Sequence, residues 1–287
     1  MFESGGEGVF IRHRASVVLR GQVIGYRGYR LPGRGLLRVT LPTATVTLVL
    51  GWAAPLEVHA GPGGGNGPDR WLSMIAGPQT AHVLAGYRGT GHAVEVDFTA
   101  LGAHRCMGIP LHHLAQTLIH PDEVMGTGWT ERTTEQLATA PNWGSRWALL
   151  DTIFAIQCVD RPPPPPSAVG AWELLRARHG RVTLSELTEN TGLGRRRIQA
   201  LFRDYVGLPP QTVSRVLRFQ RALTTPPGRY RSLAELAAMS GYHDQAHMSR
   251  DFRTLSGHTP TQLFRLARTK HPDNTDNAGY LNDFAIP

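Results

Sequence analysis

The last third of the sequence contains the same pattern of residues twice. The first copy begins at Thr183 and the second at Ser232, and each continues through matching Glu, Leu, Gly, Phe, Arg and Pro positions. The offset between the copies grows by one after a central glycine, so the second copy holds one extra residue there. A duplicated segment of this length predicts a duplicated supersecondary unit, which constrains the fold of the whole back half.

Each copy is predicted to be two helices joined by a tight turn. Thr183 with Glu186, and Ser232 with Glu235, are capping-box patterns that open the first helix of each copy. A glycine follows each first helix, and Asp244 is placed to cap the last helix of the second copy. The predicted helices of the two copies are Leu184–Asn190, Arg195–Val206, Leu233–Ser240 and Gln245–Ser256. Three further helices are predicted at Ala168–Arg178, Gln211–Leu223 and Pro260–Arg268.

Net charge is distributed unevenly along the chain. The sequence has 30 Lys+Arg and 22 Asp+Glu, a formal net charge of +8. Residues 1–160 contain equal numbers of basic and acidic side chains, so residues 161–287 carry the whole excess. A neutral half joined to a basic half predicts one polyanion-binding domain and one domain with another role. Lys270 is the sole lysine; the arginine bias suits bidentate contacts to phosphate or guanine, and a GC-rich coding sequence explains it equally well.

A run of five prolines, Pro162–Pro166, falls at the boundary between the two halves. Consecutive prolines favour polyproline II, which acts as a semi-rigid spacer. We therefore predict a first domain at 1–160, a linker at 161–167, a helical domain at 168–270 and a flexible tail at 271–287.

The front half is predicted to be mostly β, with a helical appendage. Short runs rich in β-branched or aromatic residues alternate with Gly and Pro. These runs are Val17–Leu19, Gln22–Tyr29, Arg38–Leu41, Thr45–Leu50, Leu56–His59, Trp71–Ala76, His82–Ala85 and Ala93–Phe98, with a flexible loop at Gly61–Pro68. Helices are predicted at Leu111–Ile119, Thr133–Ala140 and Asn142–Gln157. The fold class is multidomain α+β: a β-rich barrel or sandwich-like N-terminal domain and an all-α double helix-turn-helix C-terminal domain.

The second helix of a helix-turn-helix unit is the one that enters the major groove of DNA. Its apolar side must stay on the scaffold, which assigns Ile198, Leu201, Phe202, Tyr205, Met248, Phe252 and Leu255 inward. The opposite face is predicted to bind double-stranded DNA through Arg195, Arg196, Arg197, Gln199, Ala200 and Arg203 in the first copy, and through Gln245, Ala246, Ser249, Arg250 and Arg253 in the second.

These residues have different expected roles. Base contacts are expected from Arg196, Gln199 and Gln245, because Arg can bridge guanine O6 and N7 while Gln can bridge adenine N6 and N7. Arg195, Arg197, Arg203 and Arg253 are expected to contact the DNA backbone or to be plain surface charges. For Arg250 a salt bridge within the scaffold is an equal alternative to a DNA contact.

The helix predicted at Gln211–Leu223 is a strut of ~20 Å at ~1.5 Å per residue. With the widths of the flanking units, it can set the two reading helices about one DNA turn apart, ~34 Å. In the alignment of the copies Arg196 matches Ala246, and Ala200 matches Arg250. The two units are therefore expected to read different sequences, and an asymmetric half-site is the expected target.

The run from Ala237 to Arg253, followed by Gly257–Pro260 and Phe264-Arg265, resembles the C-terminal signature of the AraC/XylS family of bacterial transcription regulators. The resemblance extends over Ala168–Arg268 and implies seven helices with a central linker helix. It also implies activation of transcription by contact with RNA polymerase. The sequence departs from the family pattern where Gly194 replaces a Ser N-cap, Met248 replaces an aromatic residue or Leu, and Ala200 replaces an arginine.

Four aromatic residues of the front half are candidates for a ligand pocket: Trp52, Trp71, Tyr87 and Phe98. Large aromatics are more often core residues, but a pocket somewhere in the β region is expected. Ala76–Gln79, the strand at Ala93–Phe98 and Gly108–Leu111 resemble a sensing domain that often precedes this DNA-binding module. A small-molecule effector is the partner that this resemblance implies.

No cofactor or metal is expected. The candidate ligands His82, His92, Glu95, His104, His112 and His113 lack the pair of histidines two apart that metal-binding barrels present on a strand. Cys106 and Cys158 are expected to be reduced, as in a cytosolic protein. A Cys106 thiolate activated by the basic residues before it is the alternative, which would make the front half an enzyme or a redox switch.

These features predict a cytoplasmic DNA-binding transcription regulator that is not an enzyme. It would be an activator controlled by an effector in the N-terminal domain, and a homodimer is expected as a further partnership. A ligand-independent regulator, whose front domain only dimerises or binds a protein partner, is the alternative. No secretory signal and no membrane-spanning run is expected.

Overall fold

The structure, a computed structural model, describes residues 9–31, 36–61, 68–270 and 283–286. The front half contains two antiparallel β-sheets and a group of helices, and the back half is helical. The predicted fold class, a β-rich domain with a helical appendage followed by an all-α double helix-turn-helix domain, is confirmed.

Two antiparallel sheets form the front domain. Their strands in chain order are β1 (Val9–His13), β2 (Val23–Arg30), β3 (Leu36–Thr40), β4 (Thr45–Gly51), β5 (Leu56–Ala60), β6 (Asp69–Trp71), β7 (Ser73–Ala76), β8 (Val83–Tyr87), β9 (His92–Thr99), β10 (Leu118–Ile119) and β11 (Asp283–Ile286). In the described residues the first sheet has the order β1-β2-β9-β4-β7-β10, and the second has the order β11-β3-β8-β5-β6.

Each face of the first sheet buries a separate apolar cluster, because side chains alternate between the faces of a strand. One face carries Tyr29 and Val49, which pack with Tyr87 of β8 in the cluster between the sheets. The other face carries Tyr26 and Phe98, which pack against the helices of the front domain. The first sheet is therefore the middle layer of this domain.

The helical appendage consists of α1 (Ala100–Met107), α2 (Asp122–Met125), α3 (Trp129–Thr139) and α4 (Trp143–Val159). The longest of these, α4, lies on the outer face of the first sheet. Its Trp147 stacks on Tyr26 at 5.7 Å between ring centroids, and its Phe154 meets Phe98 edge-on at 5.0 Å.

Several front-half predictions are wrong. Val17–Leu19 is one turn of 3-10 helix, in which the backbone N–H of Leu19 donates to the carbonyl of Ser16 at 3.0 Å. Two of its side chains are exposed, so β-branched composition alone did not make it a strand. The helix predicted at Leu111–Ile119 is a 3-10 turn at Leu111–His113 followed by β10. Strand β1 and the helices α1 and α2 were not predicted.

The expectation of reduced cysteines is also wrong. Cys106 at the end of α1 and Cys158 at the end of α4 form a disulfide, with their Cα atoms 5.0 Å apart. Both residues are buried. Because the pair is bonded, Cys106 has no thiolate in this structure to act as a nucleophile.

The back half contains α5 (Pro166–Ala177), α6 (Leu184–Thr191), α7 (Arg195–Tyr205), α8 (Pro210–Thr224), α9 (Leu233–Met239), α10 (Gln245–Ser256) and α11 (Pro260–Lys270). Each predicted helix is present with ends shifted by at most two residues. The first begins at Pro166, inside the predicted linker, because proline is tolerated at the first position of a helix.

Capping occurs where the sequence indicates it. The Thr183 hydroxyl accepts from the backbone N–H of Glu186, and the Glu186 carboxylate accepts from the N–H of Thr183, so both halves of the capping box are present. In the second copy Ser232 accepts from the N–H of Glu235, but the Glu235 carboxylate accepts from the N–H of Arg231 instead.

The tail returns to the front domain. Asp283–Ile286 pairs antiparallel with β3 as an edge strand of the second sheet, so the prediction of a loose tail is wrong for these four residues. The chain thus meets the front domain again after the helical domain. The other predictions of loose chain, at 62–67 of the Gly61–Pro68 loop and at 271–282, lie outside the described residues.

Candidate nucleic-acid interface

The first reading helix, α7, has one apolar and one exposed face. Ile198 and Phe202 are fully buried, while Leu201 and Tyr205 are partly buried, as the inward assignment requires. All predicted DNA contacts of this helix lie on its exposed face: Arg195, Arg196, Arg197, Gln199, Ala200 and Arg203. Gly194 occupies the N-cap position and supplies no side-chain hydrogen bond. The N-cap residue therefore supplies no side-chain acceptor for the backbone N–H groups of the first turn.

The second reading helix, α10, has a parallel arrangement. Met248, Phe252 and Leu255 are buried. Gln245, Ala246, Arg250 and Arg253 are exposed, and Ser249 is half-buried. Asp244 caps this helix by accepting from the N–H of His247 at 2.6 Å, and this bond is the main reason that its pKa is lowered. The Asp244 carboxylate is therefore ionised at neutral pH, beside the face that would meet DNA.

The residues that hold α10 in place were not predicted from the sequence. Arg215 of the linker helix α8 pairs with the buried Asp251 of α10 at 2.6 Å between Nε and Oδ1. Arg218 of the same helix lies over the Tyr242 ring, with its Cζ 5.5 Å from the ring centroid. An arginine-rich helix between two units, and an aspartate on the inward face of a reading helix, are the signals that would have indicated this.

Arg250 makes no ion pair within 4.0 Å among the described residues, although its charge helps to lower the pKa of Asp244. The scaffold salt bridge that the sequence left as an alternative for Arg250 is made by Arg215 and Asp251 instead. An exposed, unpaired guanidinium on the reading face can contact phosphate or a base edge.

Tyr205 and Asp204, at the end of α7, touch the front domain. The His104 ring of α1 lies 4.2 Å from the Tyr205 ring, and His112 Nδ1 lies 3.5 Å from Asp204 Oδ1. At Gly207 a side-chain carbon would come within 2.8 Å of the Leu111 carbonyl oxygen, so the two backbones are in close contact. The first reading helix is thus fastened at its C-terminal end to the front domain.

The second unit touches the front domain at separate points. The His82 ring lies against Gly257, which follows α10, and Gln220 of α8 donates to the carbonyl of Pro42 at 3.3 Å. Val39 and Leu41 belong to the apolar cluster of the second helix-turn-helix unit. Both units therefore pack on the β-rich domain in this conformation.

The four aromatic candidates of the front half do not share one pocket. Tyr87 lines a small cavity between the sheets, and Trp71 packs on the same inter-sheet cluster. Phe98 is a fully buried core residue on the opposite face of the first sheet. Trp52 lies beside His92, with their ring centroids 4.6 Å apart.

The histidines considered as metal ligands are dispersed over the front domain. His82 and His104 lie at the contacts with the helical domain, and His92 lies beside Trp52. In the described ranges, no three His, Cys, Asp or Glu side chains are grouped so that they could hold a metal ion. None of the helices with described residues is long and apolar enough to cross a bilayer.

The duplicated unit, with two exposed basic helix faces on one scaffold, defines a double helix-turn-helix domain. Residues 187–266 match a family model described as a helix-turn-helix domain, of the AraC type. This match, which covers 80 residues of the helical domain, supports the resemblance to the AraC/XylS family of transcription regulators.

The F1 operon positive regulatory protein of Yersinia pestis is 35% identical over 72 residues, which are 25% of this chain and 24% of the relative. This chain therefore spans about a quarter of the length of that curated relative.

Among solved structures, ToxT of Vibrio cholerae is similar with a TM-score of 0.45 at 8% identity, over 83% of this chain and 96% of ToxT. The xylose-binding transcription activator XylR gives a TM-score of 0.31 at 14% identity, over 42% of this chain and 38% of XylR. Similarities this low do not establish function.

Proposed function

We propose that this protein is a sequence-specific DNA-binding transcription regulator, an activator whose DNA binding is controlled by a small molecule held in the N-terminal domain. The observation that carries the proposal is the pair of exposed faces on α7 and α10. Each presents basic or amide side chains on a helix whose other face is buried, which is what entry into a major groove requires.

The two units have separate tasks in this proposal. Arg196 and Gln199 read bases in one groove, and Gln245 with Arg250 reads the next. The remaining basic residues of both faces, Arg195, Arg197, Arg203 and Arg253, contact phosphates and set the register. Ala246 and Ser249 allow close approach of the second helix. The linker helix α8 has 15 residues, a length of ~22 Å, and fixes the separation of the units.

Selection from random duplexes followed by substitution tests the reading residues. On the selected sequence, Arg196→Ala is expected to cost about 1–3 kcal/mol of binding and to relax the preference at one base pair. Arg203→Ala is expected to weaken all sequences similarly and to reduce the salt dependence of binding.

Arg229→Ala, which removes an exposed arginine of the loop after α8, is the matched control and should change neither property. Equal effects of Arg196→Ala and Arg229→Ala on the selected sequence would contradict the assignment of α7 as a reading helix.

Effector control is supported by the way the two domains meet. Both helix-turn-helix units contact the front domain through α1, the Leu111–His113 turn and the loop at Pro42. A ligand that shifts any of these elements would change the orientation of the reading helices. Contact with RNA polymerase is the further step that the family implies for an activator.

A homodimer is the second proposal, and one surface supports it. Ile156 and Val159 at the end of α4 are 57% and 73% exposed, and Val17 and Val18, on the turn that contacts α4, are 72% and 71% exposed. Apolar side chains grouped in this way favour association. In this proposal the front domain also serves dimerisation. Sedimentation of Ile156→Asp and of wild type measures how much this apolar surface contributes to the dimer.

A further inference from the structure

The first turn of α4 contains a buried arginine without an acidic partner. Arg146 is 9% exposed, and its Nε donates to the carbonyl of Leu137 at 2.8 Å. No carboxylate within the described ranges forms an ion pair with it. Burying a guanidinium without a counter-charge costs free energy. This burial also lowers the pKa of Arg146.

The hydrogen bond to Leu137 accounts for only part of this side chain. The Leu137 carbonyl lies in the last turn of α3, and the residue four positions later is Pro141, which has no N–H to donate. The Nε of Arg146 satisfies that carbonyl, and this uses one of five N–H groups. The terminal nitrogens donate to no described residue and are not sealed from solvent. The fork of the guanidinium is therefore available to an acceptor from outside the protein.

Two indole rings flank the guanidinium. Its Cζ lies 4.9 Å from the Trp143 ring centroid and 5.7 Å from that of Trp52. Trp143 lies flat on β2 at Gly28, where any side-chain carbon would overlap the indole ring. The glycine explains how the ring can approach the strand so closely, and the contact fixes Trp143 beside the guanidinium.

Two further groups lie near Arg146: the imidazole of His92 and the guanidinium of Arg30. His92 lies 4.6 Å from Trp52 and 6.1 Å from Trp143 between ring centroids. Burial lowers the pKa of His92, and the charges of Arg146 and Arg30 lower it further. Arg30 is exposed and sits opposite His92 in the strand register. The charges of Arg146 and Arg30 thus both act on His92 and favour its neutral form.

We propose that the cluster of Trp52, His92, Trp143 and Arg146 binds an organic carboxylate. The two oxygens of a carboxylate match the planar guanidinium fork, and indole walls would bury a flat or apolar body. The cavity between the sheets is lined mainly by apolar residues and tyrosines, with no charged side chain, so a charged ligand favours the Arg146 cluster. In naming the class of effector, this inference rests on the proposed function.

Binding is measured on the full chain without DNA, by isothermal titration and by tryptophan fluorescence. The probe is phenylacetate, compared with its neutral isostere phenylacetamide and with inorganic phosphate. Phenylacetate is expected to bind saturably, and the other two at least about tenfold more weakly, a difference of ~1.4 kcal/mol. Equal binding of the amide, or no saturable binding of phenylacetate, would overturn the proposal.

Variants test whether Arg146 holds the carboxylate. Arg146→Gln retains a donor for the Leu137 carbonyl but lacks the fork, so we expect an unchanged unfolding midpoint and a loss of about tenfold or more in phenylacetate affinity. Arg132→Gln, an exposed arginine of α3, is the control and should bind as wild type does. Wild-type affinity in Arg146→Gln would contradict the site.

If Arg146→Gln unfolds, Trp52→Leu is tested in its place. This change removes one of the two indole rings beside the guanidinium and leaves the guanidinium in place. Its phenylacetate affinity should fall, and wild-type affinity would again contradict the site. DNA binding by the wild-type chain is measured in a separate assay. If the wild-type chain does not bind DNA, only the proposed function is overturned, because the carboxylate titration contains no DNA.

Discussion

Side-chain roles divide into those that sequence periodicity reveals and those that depend on a distant partner. The inward and outward faces of α7 and α10 were predicted residue by residue, because a helix repeats every 3.6 residues. The Arg215–Asp251 pair was not, because its members lie 36 residues apart and meet only after α8 and α10 have packed. The position of Arg146 beside Trp52 was not predicted for the same reason.

The Arg215–Asp251 pair gives the residue-scale prediction. Asp251 is 6% exposed, so Asp251→Ala leaves a partly buried guanidinium without its partner. The expected loss is about 1–3 kcal/mol in the free energy of unfolding, below the range for fully buried pairs because the Arg215 side chain is one-third exposed. Urea denaturation measures it. Arg231→Ala removes a surface partner of Glu235 and should cost at most about 0.5 kcal/mol; equal losses would contradict the prediction.

At the scale of elements, the helical half was predicted well and the front half only in part. Caps, glycines and periodicity define helix ends locally, so α6 to α10 agree with prediction within one or two residues. Strand β1 has exposed and partly buried residues in no strict alternation, which gave no strand signal. Helix α1 was missed because it has only eight residues, six of them buried, so its polar residues His104 and Arg105 give too short a pattern for a helical period.

The disulfide between α1 and α4 gives the element-scale prediction. Replacing Cys106 and Cys158 by Ser is expected to lower the free energy of unfolding by about 2–4 kcal/mol, because a cross-link between distant segments reduces the entropy of the unfolded chain. Guanidinium denaturation of the oxidised wild type and the double variant measures the loss. A dithiol reductant should destabilise wild type to the same extent and leave the double variant unchanged; a reductant effect on the double variant would contradict this account.

At the scale of the whole molecule, the two halves share a surface that sequence could not reveal. The proline run indicated separate domains, yet Tyr205, Asp204 and Gly257 all touch front-domain residues. The contacts between the domains depend on tertiary packing of residues that lie far apart in the sequence, such as Asp204 and His112. Three histidines, His82, His104 and His112, lie at those contacts.

This surface predicts a pH dependence. Burial lowers the pKa of His82 and of His104; His258 adds to the effect at His82, while Asp204 opposes it and Arg161 reinforces it at His104. A histidine whose folded-state pKa is depressed stabilises the fold fully above its unfolded pKa, ~6.5, and loses that contribution as pH falls through the folded value. The unfolding temperature should therefore fall below pH 6.5.

His104→Phe keeps a ring on Tyr205 and removes one titrating group, so its unfolding temperature should depend less on pH than that of wild type. His120→Phe, which removes a histidine with no contact to the helical domain among the described residues, is the control and should keep the wild-type slope. Identical slopes in all three proteins would contradict the role of the surface.

The central claim is that one chain reads two successive major grooves with two different helices. Hydroxyl-radical footprinting on a selected duplex tests it directly. The account predicts two protected tracts on one DNA face, about one helical turn (~34 Å) apart. Substitution of Gln245 and Arg250 by Ala should abolish one tract and preserve the other. A single tract in the wild-type footprint, or loss of both tracts in the variant at saturating protein, would contradict the claim.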